Sequence, residues 1–303
     1  MSTPRDSAPL TPLPADTYAN LAHGEPAGPP ATTSIDPDDP PWGLSTAVFT
    51  WGMSVVLLVL MQLITTVPYL IYRARGTNDA ALRQTLTADK TLILLSIIST
   101  IPAHLLTIGL VWAVVTNFGK RPFWRTLGWS WNRNFGFWTS ASLAVALLIF
   151  GGLLTKLLGG VETQIDQIVA SSIAARYAIA FLATATAPLV EELIYRGVLY
   201  SALQRVAGAG LAVAGVLALF TVVHVPQYWP NVGVISAVGV LSLALTLVRA
   251  YTGRLLPCFI MHLVFNGLQS IFIVLEPYLP QLSTSGEQKA AIILTLARAL
   301  QAV

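Results

Sequence analysis

Long stretches without a single charged residue decide what this chain can fold into. No Asp, Glu, Lys or Arg occurs from Pro40 to Tyr72, from Thr91 to Gly119, from Asn134 to Thr155 or from Leu255 to Leu275. A further run, Val206–Val248, is charge-free for 43 residues and is interrupted by Val225-Pro226-Gln227-Tyr228-Trp229-Pro230-Asn231. About 20 apolar residues in a helix cross the roughly 30 Å hydrocarbon core of a bilayer. The long run, with its Pro/Asn break, therefore reads as two spans. Charged residues make up only 10% of the chain, far below the quarter typical of a soluble domain. There is too little polar surface here to cover a globule in water. The expected fold class is thus an all-α, polytopic transmembrane bundle of about seven spans, seven to eight in all. Their expected positions are 45–72, 91–115, 137–158, 178–204, 207–225, 232–249 and 256–275.

The remaining segments read differently. Residues 1–44 form an expected disordered tail, since Met1–Pro41 holds ten of the nineteen prolines, six acidic residues and one basic one. It lacks the apolar core of a signal peptide. Residues 45–170 are read as N-terminal membrane helices, 171–275 as a helical core carrying the chemistry, and 276–303 as an interfacial or short membrane helix. Trp124, Trp129, Trp131 and Trp138 stand among Lys120, Arg121, Arg125 and Arg133, a composition suited to the headgroup region. Basic residues divide evenly between the two sides, so orientation rests on the acidic tail, which favours a cytoplasmic N-terminus. The net charge of +3 is scattered, which argues against nucleic acid as a partner, and the lone Cys258 excludes an intrachain disulfide. The expected partners are the lipid bilayer and a peptide or membrane-protein substrate.

Within this apolar background some residues are out of place. The fourth span contains Glu191, Glu192 and Arg196. Each charge near the bilayer centre costs roughly 3 kcal/mol, and an apolar residue returns only roughly 0.3–0.6 kcal/mol. The three charges need partners, neutral states or water. Glu192 and Arg196 lie four apart and share a helical face, so they can pair. Glu191 sits about 100° around the helix and is left for other work. Pro188 just before them is expected to kink the span. His224 ends the fifth span, and His262 shares a face with Asn266 in the seventh. If these groups converge they suit hydrolysis: a carboxylate to take a proton from water, an imidazole to relay it, and donors for an oxyanion. The alternative is polar glue between helices, and His104 and Gln62 are read in that way.

Three spaced patterns connect these residues to a known family. Glu191–Arg196 fits EExxxR, Phe220–His224 fits FxxxH, and His262–Asn266 fits HxxxN, in that order on successive helices. Together they resemble the motifs of the CPBP family, the CaaX-protease-like and bacteriocin-processing (Abi/Rce1-like) intramembrane proteases. The resemblance covers the stretch from Pro188 to Gly267. It implies an intramembrane endopeptidase in which Glu191, with His224, activates water, while His262 and Asn266 stabilise the oxyanion. Glu192 and Arg196 would support them. A metal-free glutamate mechanism is preferred, so no cofactor is expected. In a zinc-dependent version the ligands would be Glu191, His224 and His262. The implied place is the bacterial inner membrane. The rival readings are a non-catalytic scaffold or immunity protein, and a proton-coupled transporter, against which the lack of an inverted repeat counts.

Overall fold

The computed structural model describes residues 36–75 and 89–279. All regular structure among them is helical, apart from one isolated bridge between Asn132 and Phe135. The expected tail up to residue 35 and residues 280–303 of the expected C-terminal segment lie outside the described residues, and Glu276–Tyr278 form a 3-10 turn. Among the described residues, six helical runs are long and apolar enough to cross a membrane: Leu44–Ala74, Lys90–Thr116, Phe137–Leu158, Ile173–Tyr228, Val232–Thr252 and Leu256–Tyr278. The protein is an all-α integral membrane protein.

Helix α1 (Leu44–Ala74) is followed by α2 (Lys90–Ile98) and α3 (Thr100–Thr116), which form one span with a step at Ser99. Helix α4 (Phe137–Leu158) is the third span, and α5 (Gln164–Ser171) is a short capped helix beyond it. Asp89 starts α2 by accepting hydrogen bonds from the backbone N–H groups of Thr91 and Leu92, and Thr163 and Asp166 form a reciprocal cap on α5.

The run Ile173–Tyr228 is the one that builds the site. At about 1.5 Å per residue a straight helix of 56 residues would be roughly 84 Å long, nearly three times the hydrocarbon thickness. It does not run straight. Gly208 takes φ 79°, ψ 165°, a conformation essentially reserved to glycine, and breaks the helix there. Glu191 then meets His224, and Tyr195 meets Phe220 with ring centroids 5.0 Å apart. Both pairs are symmetric about the Gly208 turn, so the legs run antiparallel as an αα-hairpin. Each leg is long enough to cross, which accounts for two of the seven expected spans inside one run.

The first leg comprises α6 (Ile173–Phe181), a π-turn (Leu182–Thr186), α7 (Ala187–Glu191) and a second π-segment (Glu192–Leu199), leading into α8 (Tyr200–Tyr228). The first π-turn accommodates Pro188. The Ala187 N–H bonds Leu182 O, five residues back, so Ala183 O would next look to residue 188, whose proline nitrogen has no hydrogen. Asn266 fills that gap from another helix, its Nδ2 donating to Ala183 O at 3.0 Å. The expected kink at Pro188 is therefore a pair of widened turns flanking Glu191. Helix α9 (Val232–Thr252) starts at the Asn231 cap and α10 (Leu256–Leu275) completes the core. Helices α4 and α9 meet closely, since a Cβ on Gly233 would stand 2.7 Å from Thr155 Cα.

Residues 36–43, the last stretch of the expected tail, are packed onto the bundle. Trp42 is buried and donates its indole N–H to Val198 O at 3.0 Å. Asp38 pairs at 2.7 Å with Arg249, which is only 1% exposed and lies over the Tyr200 ring. The tryptophan-rich connection between α3 and α4 also packs, with Leu127 buried, Gly128 O accepting from Leu255 N–H, and Trp129 against Phe259.

Candidate active site

The site forms where the two legs of the hairpin face α10. Arg196 is fully buried, and every nitrogen of its guanidinium is occupied. Nη1 donates to Glu192 Oε1 at 2.9 Å, Nη2 to Ser242 O and Oγ at 3.0 Å each, and Nε to Thr246 Oγ1 at 3.3 Å. This is the expected Glu192–Arg196 pair, with α9 supplying the partners that sequence alone did not identify. The guanidinium carbon also lies 4.7 Å from the Phe220 ring centroid.

Glu192 Oε1 accepts a second bond from His262 Nδ1 at 2.8 Å. Its Oε2 is buried with no hydrogen-bond partner among the described residues. A buried charge pair of this kind is fixed in place, because losing either member strands the other away from water. Arg196, Glu192 and His262 thus form a rigid chain that turns His262 Nε2 towards Glu191 Oε2, 3.7 Å away.

His224 is positioned from the other leg. Its Nδ1 donates to Phe220 O at 2.7 Å, so Nε2 points to Glu191 Oε1 at 4.0 Å. Phe220 stacks on the imidazole with centroids 4.4 Å apart and separates it from Arg196. The aromatic position of the FxxxH pattern is therefore a spacer wedged between a fixed cation and a histidine.

Glu191 itself makes none of these short bonds. Its side chain is 22% exposed and faces a cavity of 490 Å³ that is also lined by His224, His262 and Asn266. All six expected site residues come together, with Glu192 and Arg196 behind the cavity wall. The cavity is also lined by His104 and Gln62, which the sequence alone marks only as packing groups. His104 comes from α3 and its Nδ1 lies 2.8 Å from Thr186 Oγ1, at the π-turn before Pro188. Its signal was present as an ionisable residue in a span, but no motif tied it to the others.

Two Nε2 atoms and one carboxylate are donors that zinc accepts, and both histidines have Nδ1 held by an acceptor, as metal-binding histidines do. Even so, no group of three His, Cys, Asp or Glu side chains among the described residues gathers as metal ligands would. The two Glu191 oxygens face different imidazoles at 3.7 and 4.0 Å.

A family model described as Type II CAAX prenyl endopeptidase Rce1-like matches residues 173–268. That segment is about a third of the chain, and it begins with the hairpin and ends just past Asn266. No curated protein and no solved structure matches the chain. Residues 173–268, which hold Glu191, Glu192, Arg196, His224, His262 and Asn266, thus match the Rce1-like family model, consistent with the resemblance read from the three motifs.

Proposed function

We propose that the protein is an intramembrane endopeptidase in which Glu191 activates the attacking water without a metal. The observation that carries this reading is the contrast between the two adjacent glutamates. Glu192 is fully buried and bonded to Arg196 and His262, whereas Glu191 opens into the cavity between two imidazoles. Glu191 can accept a proton from water in the cavity, whereas Glu192 is fully buried and its Oε1 already holds two donors.

The steps follow from these positions. Water held by Glu191 and His224 Nε2 attacks the scissile carbonyl as its proton passes to Glu191. In its doubly protonated form, His262 donates through Nδ1 to Glu192 and through Nε2 into the cavity, towards the developing oxyanion. Asn266 contributes from the next helical turn, although one of its N–H groups is already used on Ala183 O. Its second role is to hold the widened turn that carries Glu191. The proton on Glu191 then passes to the departing amine, with His224 as relay. Arg196 and Glu192 act through His262 and do not touch substrate.

A zinc-dependent form of the same protease is the second reading, favoured by the donor set. Glu191, His224 and His262 would hold the ion, and it would supply a more acidic water. The substrate is a membrane-associated peptide or protein, and the expected setting is a bacterial inner membrane. Peptide cleavage followed by mass spectrometry tests the reading. Glu191→Gln should abolish product while the variant keeps its unfolding midpoint. Unchanged cleavage by that variant would remove Glu191 from the mechanism. Glu191-dependent proton flux in liposomes, with no cleavage, would favour transport.

A further inference from the structure

The cavity at Glu191 is one half of a longer cleft. A second cavity of 690 Å³ lies between α1, α2 and α5, and the two share Gln62, Ser96, Gln164 and Ile168 in their linings. The cleft follows one face of α2 and α3, through Lys90, Ile93, Ser96, Thr100 and His104. On the other side it follows the 58, 62, 66 and 70 stripe of α1. The 14 helical steps from Lys90 to His104 correspond to roughly 21 Å of helix, the reach of about six residues of extended peptide.

The lining mixes apolar and polar side chains along the whole cleft. Near Glu191 the walls include Leu58, Ile97, Ile165, Ile179 and Leu182. Gln62 and Gln164 line both cavities, and beyond them the lining carries Thr66, Gln167, Ser171 and, at the far end, Lys90, beside Leu70, Leu92 and Ile93. Gln62 stands near the middle of the 31-residue α1, at a depth where a polar group facing lipid is costly. The hydroxyls of Thr66, Ser96 and Ser171 donate to carbonyls of their own helices, which leaves their oxygens able to accept. The amides of Gln62, Gln164 and Gln167 make no hydrogen bond to another described residue. A peptide entering a bilayer in extended form must find partners for every backbone N–H and C=O. This row of acceptors and amides supplies them.

We infer that the cleft is a substrate channel for an extended polar peptide of about six residues. The peptide carries a carboxylate at its distal end, placed at Lys90, and apolar side chains next to the bond facing Glu191. The inference rests on the endopeptidase reading and specifies its substrate. Asp89 beside Lys90 does not cancel the charge preference. Its carboxylate is taken up by the Tyr69 hydroxyl, the Thr91 and Leu92 N–H groups and Arg73.

The test is a length series on a quenched peptide that the purified full chain cleaves in detergent. The scissile sequence is extended by zero to eight Ser/Asn residues, on either side in turn, and ends as a free acid, an amide or a glutamate amide. On one side only, kcat/KM should rise about tenfold up to six residues and then level off, the worth of one to two net hydrogen bonds. The free acid or glutamate should be preferred over the amide, and Lys90→Glu should reverse that preference. Gln164→Ala with Gln167→Ala should flatten the length dependence. Loss of cleavage in Glu191→Gln with no length or charge dependence in the wild type would overturn the channel and keep the protease. If no peptide is cleaved, anisotropy of the same labelled peptides on Glu191→Gln protein reads the cleft directly. Length-dependent binding that the glutamine variants lose supports the channel, and absence of binding overturns it.

Discussion

At the scale of single residues, this site depends on two adjacent glutamates having different surroundings. Glu192 compensates the buried charge of Arg196 and orients His262, whereas Glu191 faces the cavity. Removing one member of such a buried pair typically costs about 3–5 kcal/mol. Arg196→Ala should therefore lower unfolding stability in detergent by about that amount. Arg196→Met with Glu192→Leu should recover much of the stability and leave cleavage absent, because His262 loses its acceptor. A double variant as unstable as Arg196→Ala would mean that the pair is not what makes the single change costly. Asp89, outside the spans, gives a pH prediction. Burial pushes its carboxyl up, but Tyr69, the Leu92 and Thr91 N–H groups and Arg73 outweigh this and hold it below the usual carboxylate range. A depressed folded value means the stabilisation is present above about pH 4, where the unfolded group ionises, and is lost as pH falls through the folded value. The drop in unfolding midpoint between pH 5 and pH 3 should be smaller in Asp89→Asn than in the wild type. Equal drops would assign the acid sensitivity to other carboxylates.

At the scale of helices, Gly208 and Pro188 do the shaping. Without the reversal at Gly208, His224 and Glu191 would lie on one continuous helix, tens of ångströms apart. No atom lies within 4 Å of where a Cβ on Gly208 would be, so an added methyl meets no obstacle and the cost is backbone strain alone. Gly208→Ala should cost about 1–3 kcal/mol and reduce cleavage with it. A neutral substitution would show that the turn tolerates another conformation. Charge-free runs, their Pro/Asn break and the apolar flanks of Glu191–Arg196 pick out the long apolar helices, because crossing a bilayer leaves few alternatives. The first π-turn is not legible, since it depends on Asn266 bonding, across 83 residues of sequence, the Ala183 carbonyl that Pro188 has no N–H to reach, and nothing in the sequence marks the second. The four-residue spacing of Glu192 and Arg196 did show their pairing, because π-widening leaves both on the same side of the helix.

At the scale of the molecule, helices outside the matched domain complete the site. The spans before residue 173 supply His104 and Gln62 to the cavity, and α1 sends Trp51 Nε1 to Tyr195 OH at 3.1 Å. None of this followed from the motifs, which lie between residues 191 and 266, and a lone histidine in a span has too many ordinary explanations. Arg249 is a similar case. It closes the expected span 232–249, and in the structure it is buried at the end of α9 and held by Asp38 and Pro37 O. Asp38→Asn removes half of that clasp and should lower the unfolding midpoint, by about 1–3 kcal/mol in stability, without changing the pH profile of cleavage. The central claim is tested most directly by cleavage of a quenched peptide library in detergent, comparing wild type with Glu191→Gln and adding a strong chelator. The account predicts cleavage that disappears in the variant and survives the chelator. Loss under chelator with recovery on zinc would make Glu191, His224 and His262 ligands, and equal cleavage by both proteins would contradict the assignment of Glu191.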